Sequence, residues 1–139
     1  MRVGPRHLRR AVYVSLAVTT IAVGLLVHLR GGVLGPVSRD VLGDALWAAM
    51  IAWWAGALAP RARLVWRSAA VYLFCVSVEV SQLYHTPALD AIRETRVGHL
   101  VLGSGFDPRD LAAYALGVLA ATLLEAAIVT RHLRPSATI

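Results

Sequence analysis

The chain is 139 residues long, 58% hydrophobic and only 16% charged, and its formal net charge of +6 is carried by arginine with no lysine. Soluble domains are about 25% charged, and a chain this short has too little interior to hide so much apolar surface, so an ordinary soluble domain is excluded. The arginines are dispersed between apolar segments, which argues against a nucleic-acid patch and for a membrane topology signal.

A hydrocarbon core about 30 Å thick needs about 20 helical residues. Four segments meet that length: Ala11–Leu29, Asp40–Ala59, Leu64–Tyr84 and Pro108–Thr130. The first is apolar nearly all round. It is long for the apolar core of a signal peptide and lacks an A-x-A-like cleavage site, so a retained helix is expected. The second follows Pro36 and Ser38 and carries Trp47, Trp53 and Trp54, expected at interfaces or in packing. The third holds the single cysteine, Cys75, so no intramolecular disulfide can form. The fourth opens with Asp107-Pro108-Arg109-Asp110, where Asp107 suits a cap, Pro108 the first helical position and Asp110 the positive end of the dipole. Its Ala113, Gly117 and Ala121 repeat at a spacing that lets helices approach closely in lipid; packing inside the bundle is the first reading and a homodimer face the second. The expected fold is all-α: one integral membrane domain over residues 1–139, a four-helix transmembrane bundle with a short interfacial or re-entrant segment between the third and fourth spans.

Arginine placement sets the orientation. Arg2, Arg6, Arg9, Arg10, Arg61, Arg63, Arg67, Arg131 and Arg134 flank one side of the bundle, with no acid in those connections. Arg30, Arg39, Arg93, Arg96 and Arg109 lie on the other side, mixed with seven acids. The positive-inside rule puts both termini in the cytoplasm and the 30–39 and 85–107 loops outside.

The densest polar stretch is Glu79-Val-Ser-Gln82-Leu-Tyr84-His85, at the outer end of span three. A carboxylate within a bilayer costs about 2.5–3.5 kcal/mol on insertion scales, so Glu79 needs a partner or a purpose. Glu79 and Gln82, three apart, share a helix face. The topology brings Asp44, Asp110, Tyr114, Arg93, Arg96, His85 and His99 to similar depth, and separate helices can present them to one pocket. In the outer loop, Pro87 is expected to start a short helix that Gly98 ends, with Asp90, Arg93 and Arg96 on one edge. The stretch from His99 to Phe106 is apolar and then glycine-rich, and is read as lying in the interface or dipping back against protein.

These residues carry a resemblance. Gly43-Asp44-Ala-Leu-Trp47, the Glu79–His85 motif, Arg93, Gly98-His99 through Gly103-Ser-Gly105-Phe106, and Asp110 with Tyr114 and Gly117 resemble a small bacterial membrane family, domain of unknown function 2809. It covers about Asp40 to Glu125. A looser similarity is to VanZ-like membrane proteins, whose E-x-x-Q, Arg and D-x3-N-x2-G pattern meets Glu79, Gln82, Arg93 or Arg96, Asp110 and Gly117, with Tyr114 in place of the Asn. The resemblance implies a multi-pass protein of the bacterial inner membrane, and in the wider group a link to glycopeptide resistance.

Three roles stay open. The first is a cell-envelope binding protein whose outer pocket holds a lipid-linked or amphiphilic ligand, with Arg93 and Arg96 gripping an anionic group and Asp44, Glu79, Gln82, Tyr84, His85, His99, Asp110 and Tyr114 contributing polar contacts. The second is an enzyme acting on a lipid head group or cell-wall precursor, with Glu79, Asp44 and Asp110 as candidate acids or bases. The third is a polar lock, in which Glu79 pairs with Arg93 or Arg96 and Gln82 bonds between helices. Glu125 is expected at the surface or beside Arg131. The inner halves of spans two and three are read as free of ionisable groups, against a channel. His85 and His99 with nearby carboxylates match no short metal motif, so no metal and no cofactor is expected. Membrane lipids are the expected surroundings.

Overall fold

The structure, a computed structural model, describes residues 5–30, 32, 34–103 and 105–132, with side chains over 8–30, 32, 34–99, 101–103 and 105–128. Arg2, Ser104 and Arg134 lie outside the described residues, as do the side chains of Arg6 and Arg131. The described residues form six helices: α1 (Pro5–Arg30), α2 (Pro36–Leu58), α3 (Leu64–Ser81), α4 (Pro87–Arg93), α5 (Arg96–Leu102) and α6 (Pro108–His132). Stretches within α1, α2, α3 and α6 are long and apolar enough to cross a membrane: Leu8–Arg30, Pro36–Leu58, Leu64–Ser81 and Pro108–Ile128. This is the expected four-helix transmembrane bundle, with α4 and α5 as the intervening short segment.

Large apolar side chains cover the outside. Leu73, Phe74, Leu116 and Leu123 are all more than half exposed, as lipid-facing residues must be when hydrocarbon is the solvent. Helix α2 is the central element and packs on α1, α3 and α6, while α6 also packs on α3. Two small cores result. One joins Tyr13 and Ala17 of α1 to Trp53 and Ala57 of α2 and Ala121 of α6. The other joins Ala48 of α2, Val71 and Cys75 of α3, and Tyr114 and Val118 of α6. Ala113 and Ala121 are buried, and a Cβ on Gly117 would collide with the Ala45 backbone. The small-residue stripe is therefore spent inside one copy, on the α2–α6 contact.

Boundaries differ from the expectation where the chain leaves α3 and enters α2. Helix α2 begins at Pro36, so Asp44 lies more than two turns in rather than just over one. Helix α3 stops at Ser81, and the N–H groups of Gln82, Leu83 and Tyr84 turn back to the carbonyls of Glu79, Val80 and Ser81. Thr86 caps α4 by accepting from the Leu89 N–H, and Thr95 caps α5 by accepting from the Gly98 N–H. Gly98 thus sits in the first turn of α5 instead of ending a helix. Its bare Cα fits against the Ile92 carbonyl, where a Cβ would clash. Gly103 ends α5 with φ +68°, a conformation nearly confined to glycine.

Candidate functional site

Antiparallel packing places two polar clusters at opposite ends of the bundle. The first lies at the end that holds the Glu79–His85 motif, where α1 and α3 finish and α2 and α6 begin.

Glu79 organises this end. It is fully buried, two residues before the end of α3. Its Oε1 accepts the Asp107 backbone N–H at 2.7 Å, and its Oε2 accepts the Tyr114 hydroxyl and the Gln82 amide Nε2, each at 3.0 Å. One carboxyl group thereby ties α3 to the entry of α6 and to α6 itself. The expected ion pair with Arg93 or Arg96 does not form. Arg93 is buried instead under the end of α3, where its guanidinium donates to the Ser81 and Tyr84 carbonyls at 2.8 and 2.9 Å and to Asp90 at 3.3 Å. The guanidinium fork thus holds the last carbonyl of α3 and the carbonyl that ends the following turn at once. Arg96 is exposed on α5.

Beside Glu79 the helices enclose a cavity of about 540 Å³. Helix α1 contributes His28, α2 contributes Arg39, Asp40, Gly43, Asp44 and Trp47, and Gln82 follows directly on α3. Helix α5 and the following turn add His99, Val101 and Gly103, and α6 with its cap adds Asp107, Asp110 and Tyr114. Of the residues expected at a common pocket, Asp44, Gln82, His99, Asp110 and Tyr114 line this cavity. Glu79 stands behind it. Tyr84 and His85 are exposed on the turn after α3, with His85 3.1 Å from Asp90, and neither lines the cavity. His28, Arg39 and Asp40 also line it, although their sequence positions gave no reason to single them out as pocket residues.

The lining is rich in acceptors. Asp44 from α2 and Asp110 from the first turn of α6 line the same cavity. Two carboxylates in one cavity repel each other, and a shared proton or a cation between them relieves that repulsion. Gln82 is 4% exposed, and its Oε1 has no hydrogen-bond partner. The amide cannot turn over without giving up its bond to Glu79, and a Cβ on Gly103 would come within 2.5–2.9 Å of it. Asp107 is satisfied differently. It caps α6 through the Arg109 N–H and pairs with the Arg109 side chain at 2.6–3.1 Å, and those hydrogen bonds hold its carboxyl below the usual carboxylate range.

The second cluster lies at the other end. Glu125 is buried, paired with Arg67 and hydrogen-bonded by the Tyr13 hydroxyl at 2.6 Å. Arg67 also donates to the Ala59 carbonyl at 3.3 Å and stacks over the Tyr13 ring, 5.4 Å from its centre. These contacts correct two expectations: Glu125 does not reach the surface, and the inner half of span three does hold an ionisable group. An acid in the apolar C-terminal half of α6 was the available signal, because an intramembrane charge demands a partner.

The family described as protein of unknown function (DUF2809) matches this chain over residues 33–118. The chain belongs to the DUF2809 family. The matched stretch contains Asp44, Glu79, Gln82, His99, Asp110 and Tyr114, and so nearly the whole motif-end cavity of this DUF2809 protein. Tyr13 and Glu125 of the second cluster fall outside it. No solved structure matches the chain. Among the described residues of this DUF2809 chain, no group of three or more His, Cys, Asp and Glu side chains is arranged to hold a metal ion.

Proposed function

We propose that this DUF2809 protein is a multi-pass binding protein of the bacterial inner membrane, and that its motif-end cavity holds a lipid-linked or amphiphilic ligand of the cell envelope. The observation that carries this reading is the cavity itself. It combines an unpaired buried acceptor on Gln82 with the carboxyls of Asp44 and Asp110, next to the apolar walls of Trp47 and Val101. The Arg67–Glu125 cluster, by contrast, leaves no buried side-chain atom without a partner; the other unpartnered buried atom among the described residues is Nε of Arg93, away from the cavity. The ligand contacts fall to Asp44, Gln82, His99, Asp110 and Tyr114, because Arg93 is committed to helix carbonyls and Arg96, Tyr84 and His85 stand outside the cavity.

The arginine asymmetry favours both termini in the cytoplasm and the cavity on the exterior side, one integral domain surrounded by lipid, with no nucleic-acid partner. A looser kinship with VanZ-like proteins is compatible with that location. A homodimer, if formed, uses a surface other than Ala113, Gly117 and Ala121, which one copy already buries. An enzyme is the second reading, favoured by the pair Asp44 and Asp110. Glu79 would then be a positioning residue, since its three donors hold it behind the cavity.

The test is retention of native ligand. A Cβ on Gly43 meets nothing within 4 Å, so Gly43→Phe projects a ring into the cavity without touching the backbone packing. Protein purified gently from native membranes should carry an amphiphile, seen by native mass spectrometry, that Gly43→Phe loses. Identical retained species in both proteins, or none in the parent, would count against the binding reading.

A further inference from the structure

We infer that the motif-end cavity takes a primary ammonium group carried on an amphiphile, seated between the carboxyls of Asp44 and Asp110 and the amide oxygen of Gln82. This rests on the binding reading above and names the chemistry of its ligand.

Three features of the cavity converge on that group. Asp40, Asp44 and Asp110 all line the cavity, and a cation relieves their mutual repulsion. The guanidinium of Arg39 lines the cavity, yet no ion pair joins it to any described residue. Gln82 independently calls for a hydrogen-bond donor. Its Nε2 is committed to Glu79, and the orphaned Oε1 belongs to a side chain more than nine-tenths buried. A cation that is also a triple N–H donor meets both demands at once, and a primary ammonium is such a group. A quaternary ammonium has the charge without the donors, and an alcohol has a donor without the charge. A metal ion is disfavoured because no cluster of described side chains suits one.

Trp47 and Tyr114, with ring centres 5.5 Å apart, both line the cavity. Val27, Val78 and Val101 line the same space. They give an attached alkyl chain apolar contact, which a small soluble amine cannot use. The tail thus distinguishes an amphiphile from a free amine, although both offer the same head group.

The experiment uses the full chain in a neutral detergent free of amines, with bound mass read by native mass spectrometry. Dodecylammonium should bind as one saturable equivalent. Dodecyltrimethylammonium, dodecanol and dodecanoate should bind at least tenfold more weakly, and so should butylammonium. Asp44→Asn and Asp110→Asn should each weaken dodecylammonium at least tenfold while unfolding at the parent's temperature, and Gly43→Phe should abolish the adduct. Gly24→Leu is a second blocking variant, because Gly24 lines the cavity and a Cβ there is also unopposed. Equal binding of the trimethyl compound or of dodecanol, or unchanged affinity in both Asn variants, overturns the ammonium assignment. Preferred binding of dodecanoate that Gly43→Phe abolishes also overturns it, yet leaves the amphiphile reading standing. Butylammonium binding as tightly as dodecylammonium replaces the amphiphile by a soluble amine. Failure of every amphiphile to give an adduct sensitive to a blocking variant removes both.

Discussion

The two ends of this bundle solve the same problem in opposite ways. Both carry carboxyl groups inside helices that cross an apolar medium. At the end near the chain termini, Glu125 meets Arg67 and the Tyr13 hydroxyl, and the cluster is closed: charge balances charge. At the motif end, Glu79 is satisfied by three neutral donors, but the neighbouring Asp44, Asp110 and Gln82 open onto a cavity with charge unbalanced and one acceptor unpaired. A fold selected only for stability has no reason to leave that imbalance, because unpaired buried polar groups cost free energy. The contrast separates a polar cluster that holds helices together from one arranged to meet something else.

The closed end should be the more sensitive to single substitutions. Glu125→Leu alone strands the Arg67 guanidinium and should lower unfolding free energy by about 3–5 kcal/mol, measured by reversible unfolding in mixed micelles. Adding Arg67→Met should recover most of that loss. A double variant as damaged as the single one would mean that the cluster does more than balance charge.

Next in size is Glu79→Gln. A single amide oxygen cannot accept all three donors, and its NH2 faces the hydrogens that Glu79 now receives, so about 2–3 kcal/mol should be lost. Melting temperature in nanodiscs checks this, and an unchanged value would contradict the role of Glu79 as the organiser of that end. Gly103→Ala should cost about 1–3 kcal/mol, because φ +68° with extended ψ suits glycine and a methyl would press on the Gln82 amide. It should also shift Gln82 and weaken any cavity ligand.

The smallest stability effect, and the most telling sign, belongs to the open end. Asp44→Asn should leave the melting temperature unchanged or slightly raised, since it relieves the repulsion from Asp110. A large destabilisation would make the motif end a second closed cluster.

Much of the fold was legible because a membrane makes simple demands. Apolar length fixed four spans, and the small residues at Ala113, Gly117 and Ala121 marked a close helix contact. The gathering of Asp44, Gln82, His99, Asp110 and Tyr114 also followed from topology, since antiparallel spans bring one end of each helix to the same depth. Pairing was not legible. Arg93 looked like a partner for Glu79 because both lie near one membrane surface, but the exposed carbonyls at the end of α3 compete for the same guanidinium, and those are nearer in the fold. Arg67 looked like one more topogenic arginine after Arg61 and Arg63. Only the register of α3 against α6 reveals that its side chain turns inward to Glu125.

The most direct measurement of the difference between the two ends is thiol accessibility on a background in which Cys75 is buried. Gly43→Cys places a thiol in the open cavity, and Ala121→Cys places one in the sealed core beside Tyr13 and Trp53. A membrane-impermeant cationic thiol reagent added to intact cells should modify Gly43→Cys readily and leave Ala121→Cys untouched. An inert Gly43→Cys, or one that reacts only in inverted vesicles, would contradict an open cavity facing the cell exterior.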